Sequence, residues 1–450
     1  MKKWTSPKSW LKYIAYFLVV LCILMVTLGA LLFWKQDKIV HELINYSNQH
    51  YQGKIELKGS HISPFINFPY ISIDLEGLKI YETKASEERP IIALDDAYLG
   101  FDLWQILGGD FQLKSIYLKE GYLKFIQHKD GQFNIMRALM PLDTTTDDES
   151  AAFQLAIKDI NLHNVDIHKI NESTGIDVDV FVNDAHSTLA INGSHTMIDL
   201  DARFEMNLIQ NNDTTFIKHK HFELNSKVDF DTEKQVIQLA PSKIKLEMGE
   251  FNIAGFFDIA NEQYLDVKIN GTKPNFDLLI AFAPESLIPT LQTYENRGEV
   301  YFEGSVKGSI AEGKIPKIDA RFGCSKGFIQ NNKTRKKIES MEFSGYFKNG
   351  PDGGGLETME FGLQDFNARP EAGQFYGDLV VKNFESPEIN LKLRSRFDLS
   401  FLTAFMNIRG LTDMSGSVDI TMNFHDIIDL QNPEKSIERL NESYFTELEI

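Results

Sequence analysis

The sequence predicts a mainly β protein: an N-terminal single transmembrane helix followed by an elongated, curved antiparallel β-sheet groove with a few short helices. Three observations carry this expectation. Apolar and polar residues alternate strictly over many short segments, Asx-Gly pairs fall between those segments, and one uncharged apolar run stands near the start.

The apolar run, Tyr13 to Phe33, comes first along the chain. Its 21 residues hold nothing more polar than Thr27. As a helix they reach roughly 31 Å at about 1.5 Å per residue, close to the roughly 30 Å of a bilayer's hydrocarbon core. Lys2, Lys3, Lys8 and Lys12 precede the run, and Lys35, Asp37 and Lys38 follow it. The stronger positive flank is N-terminal, so residues 1–12 are expected in the cytoplasm and everything from about Lys38 on the far side. Trp10 and Trp34 sit where interfacial aromatics belong. A cleaved signal peptide would need a shorter apolar core and small residues before the cut. Leu31-Leu32-Phe33-Trp34 is a poor cleavage site, and Cys22 lacks the small residues of a lipoprotein signal, so an uncleaved anchor is the expectation. Lys38 to Tyr51 reads as a short helix with Ile39, Val40, Leu43 and Ile44 on one side.

Six lysines against one aspartate give residues 1–38 a charge of +5, which leaves −23 on residues 39–450 of a chain whose net charge is −18. That acidity argues against nucleic acid or anionic lipid headgroups as a general surface partner. Cys22 lies in the membrane run and Cys324 far from it, so the two cannot pair and stability must come from packing.

Beyond the anchor the pattern is β. Ile198, Leu200, Ala202, Phe204, Met206 and Leu208 point one way, while Asp199, Asp201, Arg203, Glu205 and Asn207 point the other. The same period runs through Ile71/Ile73/Leu75, Phe222/Leu224/Val228/Phe230, Ile244/Leu246/Met248 and Leu265/Val267/Ile269. It returns in Ile389/Leu391/Leu393/Phe397 and in Val418/Ile420/Met422/Phe424. Asp130-Gly131, Asn192-Gly193, Asn270-Gly271, Asn349-Gly350 and Asp352-Gly353 are expected as hairpin turns, because such pairs supply positive-φ residues. Antiparallel meanders follow, without the long helical crossovers of a parallel sheet.

Two helical stretches resemble each other. Phe276-Asp277-Leu278-Leu279-Ile280-Ala281-Phe282 is echoed by Phe397-Asp398-Leu399-Ser400-Phe401-Leu402-Thr403-Ala404-Phe405, and each leads through a Gly into a new strand, at Gly298 and Gly416. The spacing, 121 residues at the Asp and 118 at the Gly, suggests an array that grows by repeats. Residues 141–152, with Thr144-Thr145-Thr146-Asp147-Asp148-Glu149, read as an exposed acidic linker between an N-terminal β region (38–140) and a repeated groove region (153–450).

Little chemistry is on offer. Gly308 to Lys314 has P-loop spacing, but Ile315 replaces the required Ser/Thr and Pro316 follows. Gly108-Gly109-Asp110-Phe111 lacks the next acid of a cyclic-dinucleotide signature. His219 and His221 share a strand face and could hold a metal, yet a solvated pair is the simpler reading without further ligands. Asp177 and Asp179 share a face as well, better explained by a wet sheet than by acid–base work. No catalytic residue, cofactor or metal ligand is assigned, and an enzyme is not expected.

The N-terminal third resembles the AsmA family of bacterial envelope proteins. The matching features are the single anchor, Tyr51-x-Gly53, and Phe65-Ile66-Asn67-Phe68-Pro69 leading into Ile71-Ser72-Ile73-Asp74-Leu75-Glu76-Gly77-Leu78-Lys79-Ile80. Leu94-x-x-Ala97, Phe101 to Gly109, Ile116-x-Leu118-x-x-Gly121 and Asp130-Gly131-x-x-Asn134 follow in order. The similarity covers about residues 12–140, and 290–430 are more loosely similar to the family's later β repeats. The resemblance implies an inner-membrane protein whose bulk is periplasmic, an open groove of the chorein-bridge kind, and phospholipid passage toward the outer membrane. It brings no catalytic residues.

One-sided strands must hide their apolar faces against a second sheet or line a trough that meets acyl chains. The lack of linker-separated modules of about 100 residues favours the trough. Its expected lining includes Leu200, Phe204, Met206, Phe251, Ile253, Phe257, Leu391 and Leu393, with phospholipid acyl chains as the partner. The alternative function is an assembly or scaffolding factor for outer-membrane proteins that works by strand-edge pairing. The end at Glu447-Leu448-Glu449-Ile450 shows no second anchor, amphipathic helix or polar cap, which suggests a truncated product or a partner that completes the trough.

The topology is testable. A cysteine engineered at Asn211 should label in whole cells with a permeabilised outer membrane; labelling only after inner-membrane lysis would reverse the orientation.

Overall fold

Alternation makes each strand two-faced, and a computed structural model shows how the faces are used. It describes residues 40, 44–63, 66–67, 70–85, 89–102, 105, 112–142, 155–173, 175–210, 213–214, 217–283, 288–311, 314–371, 373–397, 401, 404–405, 417–425 and 448–449. The Tyr13–Phe33 run, the Gly108–Phe111 motif and the acidic stretch 143–152 lie outside the described residues. Among those described, no helix is long and apolar enough to cross a membrane. The fold is mainly β and divides into two units, residues 1–172 with 181–186, and residues 173–180 with 187–450.

The first unit holds β1 (Lys54–Glu56), β2 (Gly59–Ser63), β3 (Ile71–Tyr81), β4 (Ile92–Phe101), β5 (Leu113–Gln127) and β6 (Leu155–Asn171). β1 and β2 share one edge of β3, whose other edge pairs with β4, and β4 pairs with β5, all antiparallel. β5 and β6 break the expected antiparallel rule, because they run parallel. A parallel neighbour needs a long return. Here the return contains the short helix Asn134–Ala138, whose Asn134 side chain accepts from Ile126 N and donates to Lys124 O.

The core of this unit is Leu94, Ala97, Leu123 and Val165, with Leu75, Leu78, Leu118 and Leu162 packed around them. Leu75 and Leu78, like Leu118 and Leu123, differ by an odd number of positions, so plain alternation would send them to opposite faces. Positive-φ residues re-aim the chain between them: Gly77 (φ 58) on β3, Glu120 (φ 52) and Gly121 (φ 132) on β5, and Asn164 (φ 51) on β6. At Gly121 a Cβ would lie 2.2 Å from the Ala93 carbonyl oxygen, which only glycine avoids.

β7 (Ile176–Asn192) contributes residues to both units. The second unit continues with β8 (His195–Gln210), β9 (Asp213–Thr214), β10 (Lys220–Asp231), β11 (Val236–Leu246), β12 (Gly249–Asp258), β13 (Tyr264–Gly271) and β14 (Tyr294–Ser309). Then come β15 (Lys317–Asn331), β16 (Lys337–Lys348), β17 (Glu360–Pro370), β18 (Gly373–Lys382), β19 (Glu388–Phe397), β20 (Ser417–His425) and β21 (Leu448–Glu449). β8 pairs with β10, and from β10 to β21 each strand pairs antiparallel with the next. No described pairing brings β20 back to β8, so the ladder is unclosed.

The turns differ from expectation in an informative way. Asn192-Gly193 does join consecutive strands. Asn270-Gly271, by contrast, stays in the ladder opposite Asn252 and Phe251. Asn349 begins a longer loop that it holds together itself, accepting from Ile318 N and donating to Pro316 O and Gly354 O. Asp231 and Asn331 build Asx turns instead, accepting backbone N–H bonds from Glu233 and Lys234 and from Lys333 and Thr334. β11 ends at Leu246, and Met248, expected on its apolar face, is exposed in the turn. Pro241 has no N–H to give a ladder and sits at the register shift of β11.

The helix Asp277–Ile280 lies on β12 and β14. Its Leu278 is 1 % exposed, seated over Gly271, where a Cβ would fall 2.4 Å from Leu278 Cδ1. Gly271→Ala should therefore destabilise the protein by about 1–3 kcal/mol in urea melts, through overpacking. Leu278→Ala should cost about 2–5 kcal/mol. Combined, the two should cost less than their sum, since each relieves the other's misfit. Strict additivity would show that Gly271 does not serve as the helix's seat.

Candidate functional site

In the second unit the ladder registers bring apolar residues from many strands onto one face. One row reads Leu200, Ser226 on β10, then Ser242, Ile253, Ile269, Gly304, Ala320, Phe347, Phe361, Val381 and Ile389. The two serines, buried among hydrocarbon, satisfy each other at 3.0 Å. A neighbouring row carries Phe302, Phe322, Gly345, Leu363, Leu379 and Leu391. All eight groove candidates belong to this unit. Phe204 faces Phe222 with stacked rings 5.1 Å apart, Met206 lies opposite Lys220, Phe257 opposite Ile237 and Leu265, and Leu393 opposite Gly377 and Ile420.

The candidates divide by cover. Phe251 is 1 % exposed, in a cluster with Leu246, Phe276, Leu278, Ala281, Val300, Cys324, Met341, Ala368, Phe375 and Phe401. The two look-alike helical stretches both contribute here, one through Phe276, Leu278 and Ala281, the other through Phe401 and Phe405. Tyr294 OH and Asn331 Nδ2 both donate to the Phe405 carbonyl. Burial pushes the Cys324 thiol up to about 11, so it packs as a neutral apolar group. Phe251 thus lies beneath a helix and not on an open surface. Leu200, Phe204, Met206, Ile253, Phe257 and Leu391 are only half-buried. Within this unit, among the described residues, the strands belong to one sheet, and each contacts its ladder neighbours.

Bulges mark where covered and uncovered parts meet. Register shifts fall in turn on β14 near Gly298, β15 near Lys326, β16 near Ser340 and β17 near Asp365. Each shift re-aims the following side chains, which lets Met341 and Ala368 join the covered cluster. The other face is wet and charged: Lys227 pairs with Asp199, Lys245 with Glu223 and Lys307 with Asp266. These pairs are exposed and add little stability.

His219 Nδ1 meets Glu205 Oε1, and His221 reaches Glu205 Oε2 at 3.6 Å and Glu247 Oε1 at 3.2 Å, all on the solvent side. Asp177 and Asp179 lie on β7. Gly308 and Ser309 end β14, Lys314 donates to Glu262, and β15 follows where a P-loop would require a helix.

One constellation escaped the sequence reading. His61 on β2 lies directly opposite Asp74 on β3, with Glu76 two residues along on the same face. Their ligand-type atoms all lie within 4.8 Å of one another. Burial pushes the Asp74 carboxyl up to about 6, aided by Asp96 and Glu76 and opposed by His61. Only strand register brings these residues together; in sequence His61 is thirteen positions from Asp74.

The fold and site define a mainly β protein with a long one-sided apolar sheet face. No family model, curated protein or solved structure matches this chain.

The division of the face can be checked by stability. Phe251→Ala should cost about 3–5 kcal/mol, as for a fully buried aromatic. Phe257→Ala, half-buried at the uncovered end, should cost clearly less in the same melts. Equal losses would mean that Phe257 is as thoroughly packed as Phe251.

Proposed function

We propose that this chain is a single-pass envelope protein, anchored in a bacterial inner membrane by Tyr13–Phe33, whose second unit holds or conducts phospholipid acyl chains toward the outer membrane. The observation that carries the reading is the apolar face of the ladder from β8 to β19, half-buried at Leu200, Phe204, Ile253, Phe257 and Leu391 and formed by a single sheet. Water against such a face is costly, about 25 cal/mol per Å² of apolar surface, and a contiguous strip this wide calls for an apolar occupant. Acyl chains suit it because they are long, flexible and lack hydrogen-bonding groups. The charged opposite face keeps the sheet wet on its other side. The resemblance of residues 12–140 to the AsmA family supports the same reading, and the acidity of residues 39–450 disfavours headgroup charge as the main attraction.

A photo-reactive phenylalanine at Ile253 or Phe257 should capture phospholipid in cells, identified by mass spectrometry of the adduct. The same group at Asn252, exposed on the opposite face, should capture none. Equal capture at Asn252 and Ile253, or no lipid at Ile253 and Phe257, would reject the acyl-chain reading.

A further inference from the structure

The β2–β3 pair carries chemistry that the acyl-chain reading leaves unused. His61 Nε2 lies 3.2 Å from Asp74 Oδ2, and His61 Nδ1 lies 2.7 Å from Glu76 Oε1. A neutral imidazole has one N–H, so it can donate to only one of these two carboxylates. Asp74 is 2 % exposed, and its Oδ1 is buried with no hydrogen bond of ordinary geometry, the Tyr98 hydroxyl opposite it in the ladder being its neighbouring donor. Ser72, two residues earlier on the same strand face and 0 % exposed, likewise has a buried hydroxyl without a partner. Buried oxygens of this kind are costly unless something coordinates them. Asp96 stands opposite Glu76 in the ladder and adds a third carboxylate, offset in part by Lys119 at 3.8 Å from Asp96.

We propose that His61, Asp74 and Glu76 form a binding site for a divalent transition-metal cation of the zinc or manganese class. The donor set decides the class. Calcium and magnesium prefer oxygen-only cages, whereas one imidazole nitrogen with two carboxylate oxygens suits zinc, manganese or ferrous iron. The cation takes the lone pair of one imidazole nitrogen in place of that nitrogen's hydrogen bond, and its charge offsets the crowded carboxylates. His61 and Glu76 are partly exposed, at 42 % and 48 %, so an ion can enter and keep water on its open side. Asp74, held in the sheet interior, supplies the rigid ligand. The competing arrangement is a metal-free imidazolium clamped between two carboxylates.

The test uses the full chain in detergent, stripped with a chelator, then equilibrated with zinc chloride and dialysed. The expected result is a single zinc retained per chain, measured by elemental analysis, that magnesium chloride does not displace. His61→Gln and Asp74→Asn should each weaken retention by about tenfold or more, the least expected for a direct ligand when outer-shell partners already cost that much. Glu76→Gln is the variant least exposed to a folding defect, because its side chain is half in solvent. Zinc should raise the melting temperature of the wild-type chain and leave that of Glu76→Gln unmoved. The double variant His219→Gln/His221→Gln should retain zinc as the wild type does. The proposal is overturned by no retained zinc, by retention that survives His61→Gln, by displacement with magnesium, or by loss in the His219/His221 variant.

Discussion

A single layer of β-strands can satisfy its backbone within its own plane, but it cannot hide its apolar side by itself. That constraint governs the second unit. Every ladder neighbour from β10 to β21 meets its partner's N–H and C=O groups in antiparallel register, so main-chain hydrogen bonding is met strand by strand. The side chains are another matter. Alternation gathers Leu, Ile, Val and Phe on one face, and among the described residues only part of that face acquires a cover.

The cover is local and built from the two similar helical stretches. Each lies between strands that are ladder neighbours, one between β13 and β14, the other between β19 and β20. A connection of this kind returns to the sheet it left, so its apolar side falls on the nearest apolar surface. Small residues make room: Gly271 under Leu278, and Gly298 beside Cys324 and Phe276. Aromatic rings fill the remaining volume, with Phe251 edge-on to Phe302 at 5.5 Å and Phe282 stacked on Phe302 at 4.8 Å. Farther along the strands no such insert is found among the described residues, and Ile253, Phe257 and Leu391 are half-exposed.

The first unit handles its faces differently. A line of positive-φ residues through Gly77, Glu120, Gly121 and Asn164 switches the alternation, so the chain concentrates its core at Leu94, Leu123 and Val165. On β3 before the switch, polar residues are drawn inward, and Ser72 and Asp74 are buried. Asp74, on the face opposite Leu75, is thus a carboxylate where water is scarce, which gives the His61–Asp74–Glu76 group its chemical interest.

The sequence by itself determined the β class, the two-faced strands and the positions where helices interrupt them, because these depend on local period: two for strands, about 3.6 for helices. Ile198 to Leu208, read as one alternating strand, lies within β8, and Asp277 opens a helix as its pattern foretold. Tertiary structure alone decided the rest. Glu247 (φ 51) turns between β11 and β12 without an Asx-Gly pair, while Gly271 serves as a seat for Leu278 and not as a turn. Register shifts at β14 to β17, the parallel step from β5 to β6 and the burial of Phe251 on a strand whose Ile253 and Phe257 stay half-exposed are all non-local. A strand's pattern states which side is apolar, but what comes to lie on that side depends on residues far away in the chain, and no local period records it.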